Sequence, residues 1–167
     1  MSLYDAAVPA YLQILASLYG LLTKAEAHCT AKKIAPEVLL GSRLYPDMLP
    51  LSKQIQLASD FATRGCARLT QSEVPSTPDT EKTFEELRAR LARTIDYVKS
   101  FKPAQFEGAE TRDITFPMGP EKTMTMKGQQ FLSSFSLPQF YFHAAIAHGL
   151  LRHNGVEIGK RDFMGAN

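Results

Sequence analysis

Four long stretches of this chain repeat apolar residues three and four positions apart, and a chain with four such stripes has few ways to bury them all. The plainest is the third, where Phe84, Leu87, Leu91, Ile95 and Val98 share one side of a helix. It follows a Thr83-Phe84-Glu85-Glu86 capping box, with Asp79 or Thr80 as alternative caps one turn earlier. The first, over residues 3–29, carries Val8, Leu12, Leu15, Tyr19 and Leu22, with Tyr11 beside the stripe and Pro9 near the start. The second, over 46–69, carries Leu51, Ile55, Ala58, Ala62, Gly65 and Leu69 behind Pro46 and Pro50. The fourth, over 127–155, carries Phe131, Phe135, Phe142, Ile146 and Gly149; Pro138 interrupts its ladder and Asn154-Gly155 stops it.

The connections are equally legible. Ser72 to Thr80 is rich in Pro, Ser and Thr and reads as the long crossing between the second and third helices. Residues 113–116 and 122–126 alternate around Pro117-Met118-Gly119-Pro120, the pattern of a small β-hairpin. No internal repeat is present. The chain, residues 1–167, is therefore predicted to be one all-α domain: a four-helix bundle with a long crossing between helices 2 and 3 and a hairpin before helix 4.

Composition removes several function classes. A net charge of +2, with no basic run interleaved with aromatics, argues against nucleic acid as a partner. Cys29 and Cys66 form no CxxC or zinc-type spacing, and the opening MSLYDAAVPAYLQ has no signal-peptide pattern. A reducing, cytoplasmic setting is expected. No apolar run is expected to reach membrane-spanning length, so no membrane partner is expected either. GxSxG, phosphate-loop and dinucleotide motifs are absent.

What chemistry remains gathers around His143. It projects within or beside the apolar sector of the fourth helix, near Gln139, Ile146 and Leu150, whereas His148 projects to the other side. Asp47 and Gln54 share the apolar face predicted for the second helix. One reading is structural: a neutral, hydrogen-bonded His143, an Asp47 favoured by the helix dipole, and a Gln54 bonded to Tyr19 or to backbone. The other is a ligand pocket made by His143, Asp47, Gln54 and Tyr19, with His143 as candidate general base and Asp47 as candidate catalytic partner orienting it. Asp60 is expected to be solvated, and Glu86 with Arg90 to form an i,i+4 pair on a solvated face. Lys160 and Arg161 are placed near a rim.

Three strings carry a resemblance: RLYPDMLPLSKQIQLASDFA (Arg43 to Ala62), PDTEKTFEELRARLARTIDYV (Pro78 to Val98) and FYFHAAIAHGLLRHNGVEIGKRDFMG (Phe140 to Gly165). With them the chain resembles the DinB/YfiT-like helical bundles, and within these an uncharacterised bacterial family. The resemblance implies a four-helix bundle. In many members it implies a divalent metal held by three histidines, one on the second helix and two spaced i,i+4 on the fourth. Some of those members are thiol transferases or isomerases. This chain departs from that pattern. Residues 46–69 contain no histidine, position i+4 from His143 is Ala147, and His148 at i+5 lies about 140° around the helix from His143. No metal ligands and no cofactor are therefore expected, beyond a divalent ion weakly held by His143, Asp47 and Gln54. The expected function is a small-ligand-binding or assembly module, a homodimer through a helix face. The alternative is an enzyme with a core pocket at His143, Asp47 and Gln54, and the sequence leaves open whether a reaction is catalysed.

Overall fold

A computed structural model describes residues 2–165. In chain order the elements are α1 (Leu3–Lys32), α2 (Pro36–Leu40), α3 (Leu51–Thr70), α4 (Phe84–Ser100), a single 3-10 turn (Pro103–Phe106), β1 (Asp113–Pro117), β2 (Thr123–Lys127), α5 (Gly128–Phe131), a π turn (Leu132–Ser136), α6 (Leu137–His153) and α7 (Lys160–Met164). Helix α1 packs on α4, α4 on α3, α3 on α6 and α6 back on α1, which closes a four-helix bundle around one core.

Ser2 starts α1 with a capping box: its hydroxyl accepts from Asp5 N–H (3.1 Å), and Asp5 accepts from Ser2 N–H (3.2 Å). The buried band of α1 includes Ala7, Tyr11, Leu15, Leu18, Leu22 and Ala25. It is wider than a single stripe because α1 packs against α3, α4, α6 and α7, and its centre is displaced from the predicted one. Tyr11 is fully buried, while Tyr19 lies outside the band, 41% exposed. By length and composition alone α1 is apolar enough to cross a membrane, contrary to the expectation that no run comes near; half of that window is buried within the bundle.

Helix α3 begins at Leu51, a turn later than predicted. Pro50 holds extended backbone as its N-cap, and a proline disfavours helical geometry in the residue before it. Asp47 is therefore not in a helix but in an exposed turn. Helix α4 starts as expected: Glu86 N–H donates to the Thr83 hydroxyl (3.1 Å), and the Glu86 carboxylate accepts from the Thr83 (3.1 Å) and Lys82 (2.6 Å) amides. Glu86 is thus committed to the cap and does not pair with Arg90.

The hairpin forms with Thr115 opposite Thr125, their hydroxyls 2.8 Å apart, and turns Ile114 and Phe116 inward. From α5 through the π turn to α6 the backbone stays helical, forming one continuous rod. Leu137 N–H bonds to the Leu132 carbonyl, an i→i+5 step immediately before Pro138, which lacks a donor of its own. Pro138 is absorbed by this widened turn. Asn154 and Gly155 (φ 86°) end α6 as the sequence indicated.

Candidate functional site

The seam between α3 and α6 brings Gln54 and His143 together. His143 Nδ1 and Gln54 Oε1 are 2.8 Å apart, and Gln54 Nε2–H donates to the Leu49 carbonyl (3.2 Å). The second bond sets the orientation of the amide. Its oxygen must then face the imidazole, so Nδ1 carries the proton and Nε2 keeps its lone pair. Phe61, two turns beyond Gln54 on α3, stacks on the ring with centroids 5.6 Å apart and planes 12° apart. Phe142 meets it edge-on at 5.2 Å. Burial lowers the His143 pKa from its ordinary value, which favours the neutral ring. The residue is 8% exposed, and Nε2 has no hydrogen-bond partner among the described residues. Beside it, Phe142 is 54% exposed.

Asp47 and Tyr19 are not part of this pair. Among the described residues neither makes a hydrogen bond to His143 or Gln54: Asp47 stands in its exposed turn, and Tyr19 lies on the exposed side of α1. His148 is half-buried, and its Nε2 lies 3.2 Å from the Gly159 carbonyl, to which it donates, with the ring edge-on to Phe163. No group of three or more His, Cys, Asp and Glu side chains among the described residues is placed to hold a metal ion. The ligand set does not fit a three-histidine centre either. Ala147 is buried in the core at i+4 from His143, and α3 contributes an amide to the pair.

A second polar cluster was missed from sequence. Arg90 is 1% exposed. Its Nη2 bonds Asp60 (2.6 Å), and its Nη1 lies 3.0 Å from Asp79, 3.2 Å from Glu81 and 3.3 Å from the Pro78 carbonyl. Burial disfavours the guanidinium charge, but the hydrogen bonds and charges of Asp60 and Glu81 outweigh it and raise the pKa. Asp60, expected in solvent, is drawn in by this ion pair, and the face of α4 expected to be solvated is buried here. The signal was available in the sequence. Arg90 falls three residues after Leu87, on the apolar side of α4, and the acids Asp79 and Glu81 stand just before that helix.

Tyr11 and Ser136 form the third polar contact, Oη to Oγ 2.8 Å, wholly within the core. Gly65 is required beside it, because a Cβ there would collide with the Tyr11 hydroxyl and lie 2.7 Å from Ser136 Oγ.

Comparison with known proteins agrees with this architecture. A profile described as "Domain of unknown function (DUF1993)" matches residues 3–164. A solved structure, a DinB family member protein from Shewanella denitrificans, is 41% identical, with 99% of this chain and 93% of that chain covered and a TM-score of 0.92. No curated protein matches this chain. The chain belongs to the DUF1993 family and has the DinB-type helical-bundle fold.

Proposed function

We propose that this protein is a small-ligand-binding and assembly bundle that does not use a three-histidine metal centre, with its recognition edge at the α3–α6 seam. The observation that carries this reading is the locked imidazole. Gln54 holds His143 in one neutral tautomer, which leaves Nε2 as a fixed hydrogen-bond acceptor next to the exposed ring of Phe142. An edge of this kind suits an occupant that donates one hydrogen bond and covers an aromatic ring. Phe142 and its exposed neighbour Tyr141 supply the apolar surface for pairing α6 with a second copy, so a homodimer is the assembly proposed. The test is sedimentation equilibrium together with histidine 15N spectra. Wild type should be dimeric, Phe142→Ser monomeric, and His143 unprotonated on Nε2 at neutral pH. A monomeric wild type with a charged His143 would overturn the reading.

A second reading has support from the same bond. A neutral imidazole with a free Nε2 is also what a general base needs, so an enzyme related to the thiol transferases or isomerases would use His143 as base with Gln54, in place of Asp47, orienting it. Elemental analysis of protein purified without chelator separates a metalloenzyme from either reading. Near one equivalent of metal per chain, lost in His143→Ala, would replace the binding module with metal chemistry.

A further inference from the structure

Helix α6 ends on the pair Asn154-Gly155, and the sequence holds no second Asn-Gly pair and no Asp-Gly pair. Both residues are exposed. An asparagine carries a carboxamide carbon within reach of the next backbone nitrogen. With glycine in the next position, no side chain shields that nitrogen. Joining the two closes a five-membered ring and expels the side-chain nitrogen, so the pair carries a reaction of its own.

The fold holds the two reacting groups apart. Asn154 Nδ2–H donates to the Leu150 carbonyl (2.8 Å), and Gly155 N–H donates to the Arg152 carbonyl (3.1 Å). The Asn154 backbone stands at φ −85°, ψ 15°. At a ψ so close to zero the Gly155 nitrogen eclipses the nitrogen of Asn154, whereas ring closure requires it to eclipse Cβ. Closure therefore needs a turn about the Asn154 Cα–C bond. That turn breaks the Gly155 bond to Arg152 and the bond from Val156 N–H to the Leu151 carbonyl (3.1 Å). Val156 is buried, so the cap is tied to the core as well.

We infer that Asn154 is a site of spontaneous covalent modification, deamidation through attack by the Gly155 nitrogen, and that opening of the α6 cap gates it. The site is separate from the Gln54–His143 edge and stands without it. In the opened cap, solvent base takes the Gly155 amide proton and the nitrogen attacks Asn154 Cγ. A Cγ–N bond forms, the Cγ–Nδ2 bond breaks, and Nδ2 leaves as ammonia with a proton taken from water. Water then opens the imide at either carbonyl, which leaves aspartate or isoaspartate. Neither product rebuilds the cap. Aspartate offers only acceptors, so its charge meets the Leu150 carbonyl at the negative end of α6. Isoaspartate adds a carbon to the main chain and puts Gly155 and Val156 out of register with Arg152 and Leu151. The chain beyond carries buried Ile158 and then α7. Helix α7 docks on α1 through Ser17 Oγ–H to the Asp162 carbonyl (2.5 Å) and Gln13 Nε2–H to the Met164 carbonyl (2.8 Å). Deamidation thus loosens α7 from α1.

The full chain is held at neutral pH in three states: native, in urea below the unfolding transition, and unfolded. The tryptic peptide 153–160 is followed by mass for the conversion of amide to acid. The unfolded chain should convert about tenfold or more faster than the native one. In urea below the transition, the rate should rise in step with hydrogen exchange at Gly155 and Val156, which reports the same opening. Asn154→Gln, whose longer side chain closes a ring poorly, should keep the fold and stop the conversion. The isolated isoaspartyl protein should melt lower than wild type and show shifted 15N resonances at Gln13 and Ser17. Equal rates in the native and unfolded chains would overturn the gate, and so would a native rate that moves only with global unfolding. No conversion at Asn154 in the unfolded chain would overturn the site. An isoaspartyl protein with wild-type melting and unmoved α1 resonances would overturn the consequence for α7.

Discussion

His143 shows how one hydrogen bond can set the state of a residue. Burial opposes protonation of its ring, and the proton of the neutral ring sits on Nδ1 because Gln54 offers only an oxygen there. Since its pKa is lowered in the fold, the unfolded chain takes up a proton first as the pH falls. The stability linked to this group is complete above its ordinary pKa near 6.5 and declines below it. His143→Asn keeps a donor toward Gln54 and does not titrate there, so its urea midpoint should fall less than that of wild type between neutral and mildly acid pH. Equal slopes for the two proteins would reject the neutral-ring account. Gln54→Leu leaves the Nδ1–H buried without an acceptor, and a loss of about 1–3 kcal/mol in equilibrium denaturation is expected. Much of this pair was legible in the sequence: helical spacing put His143 and Gln54 on inward faces. The exclusion of Asp47 was not, because the start of α3 depends on whether Pro46 or Pro50 is the last non-helical residue, and apolar periodicity is silent on that choice.

Among the elements, the crossing and the π turn are where local pattern and tertiary context diverge. The crossing was visible from its prolines and serines, but its anchor was not, since spacing alone pairs Arg90 with Glu86 and only the fold shows that Glu86 is spent on the helix cap. Removing the guanidinium leaves Asp60, Asp79 and Glu81 without their shared partner, so Arg90→Met should destabilise by about 3 kcal/mol and open residues 71–83 to protease before the helices unfold. Cleavage no faster than in wild type would count against the anchor. The same span should loosen in acid. Burial alone would raise the Asp79 pKa, but the hydrogen bond and charge of Lys53, with Arg90 behind them, hold it below its ordinary value. Its contribution is present above that value, near 3.8, and is lost as the pH falls through the lowered one. At the π turn Pro138 is the one local warning, and the close approach of Tyr11, Gly65 and Ser136 is a long-range fact. Gly65→Ala should cost about 1–3 kcal/mol through overpacking, and combining it with Tyr11→Phe should recover part of that loss in a double-mutant cycle. Strict additivity would mean that the hydroxyl is not what the new methyl meets.

At the scale of the whole molecule, the four helices close a single core, and the two cysteines report on it from different depths. Cys66 lies in α3 near the middle of that core, and burial pushes its thiol up to about 12, so almost no thiolate exists near neutral pH. Cys29 is also buried and its thiol is raised as well, by burial and then by the charge of Glu26, but it sits in the last turns of α1, where helices fray. Neither thiol can react at an ordinary rate until the structure around it opens. A disulfide reagent applied across a series of sub-denaturing urea concentrations should therefore label Cys66 only through global unfolding, with a urea dependence equal to that of the equilibrium transition. Cys29 should label earlier and with a shallower dependence, through local opening at the end of α1. Single-cysteine variants assign the two rates. If Cys66 reacts in native conditions as fast as Cys29, the core around α3 opens in pieces, and the bundle is not one cooperative unit.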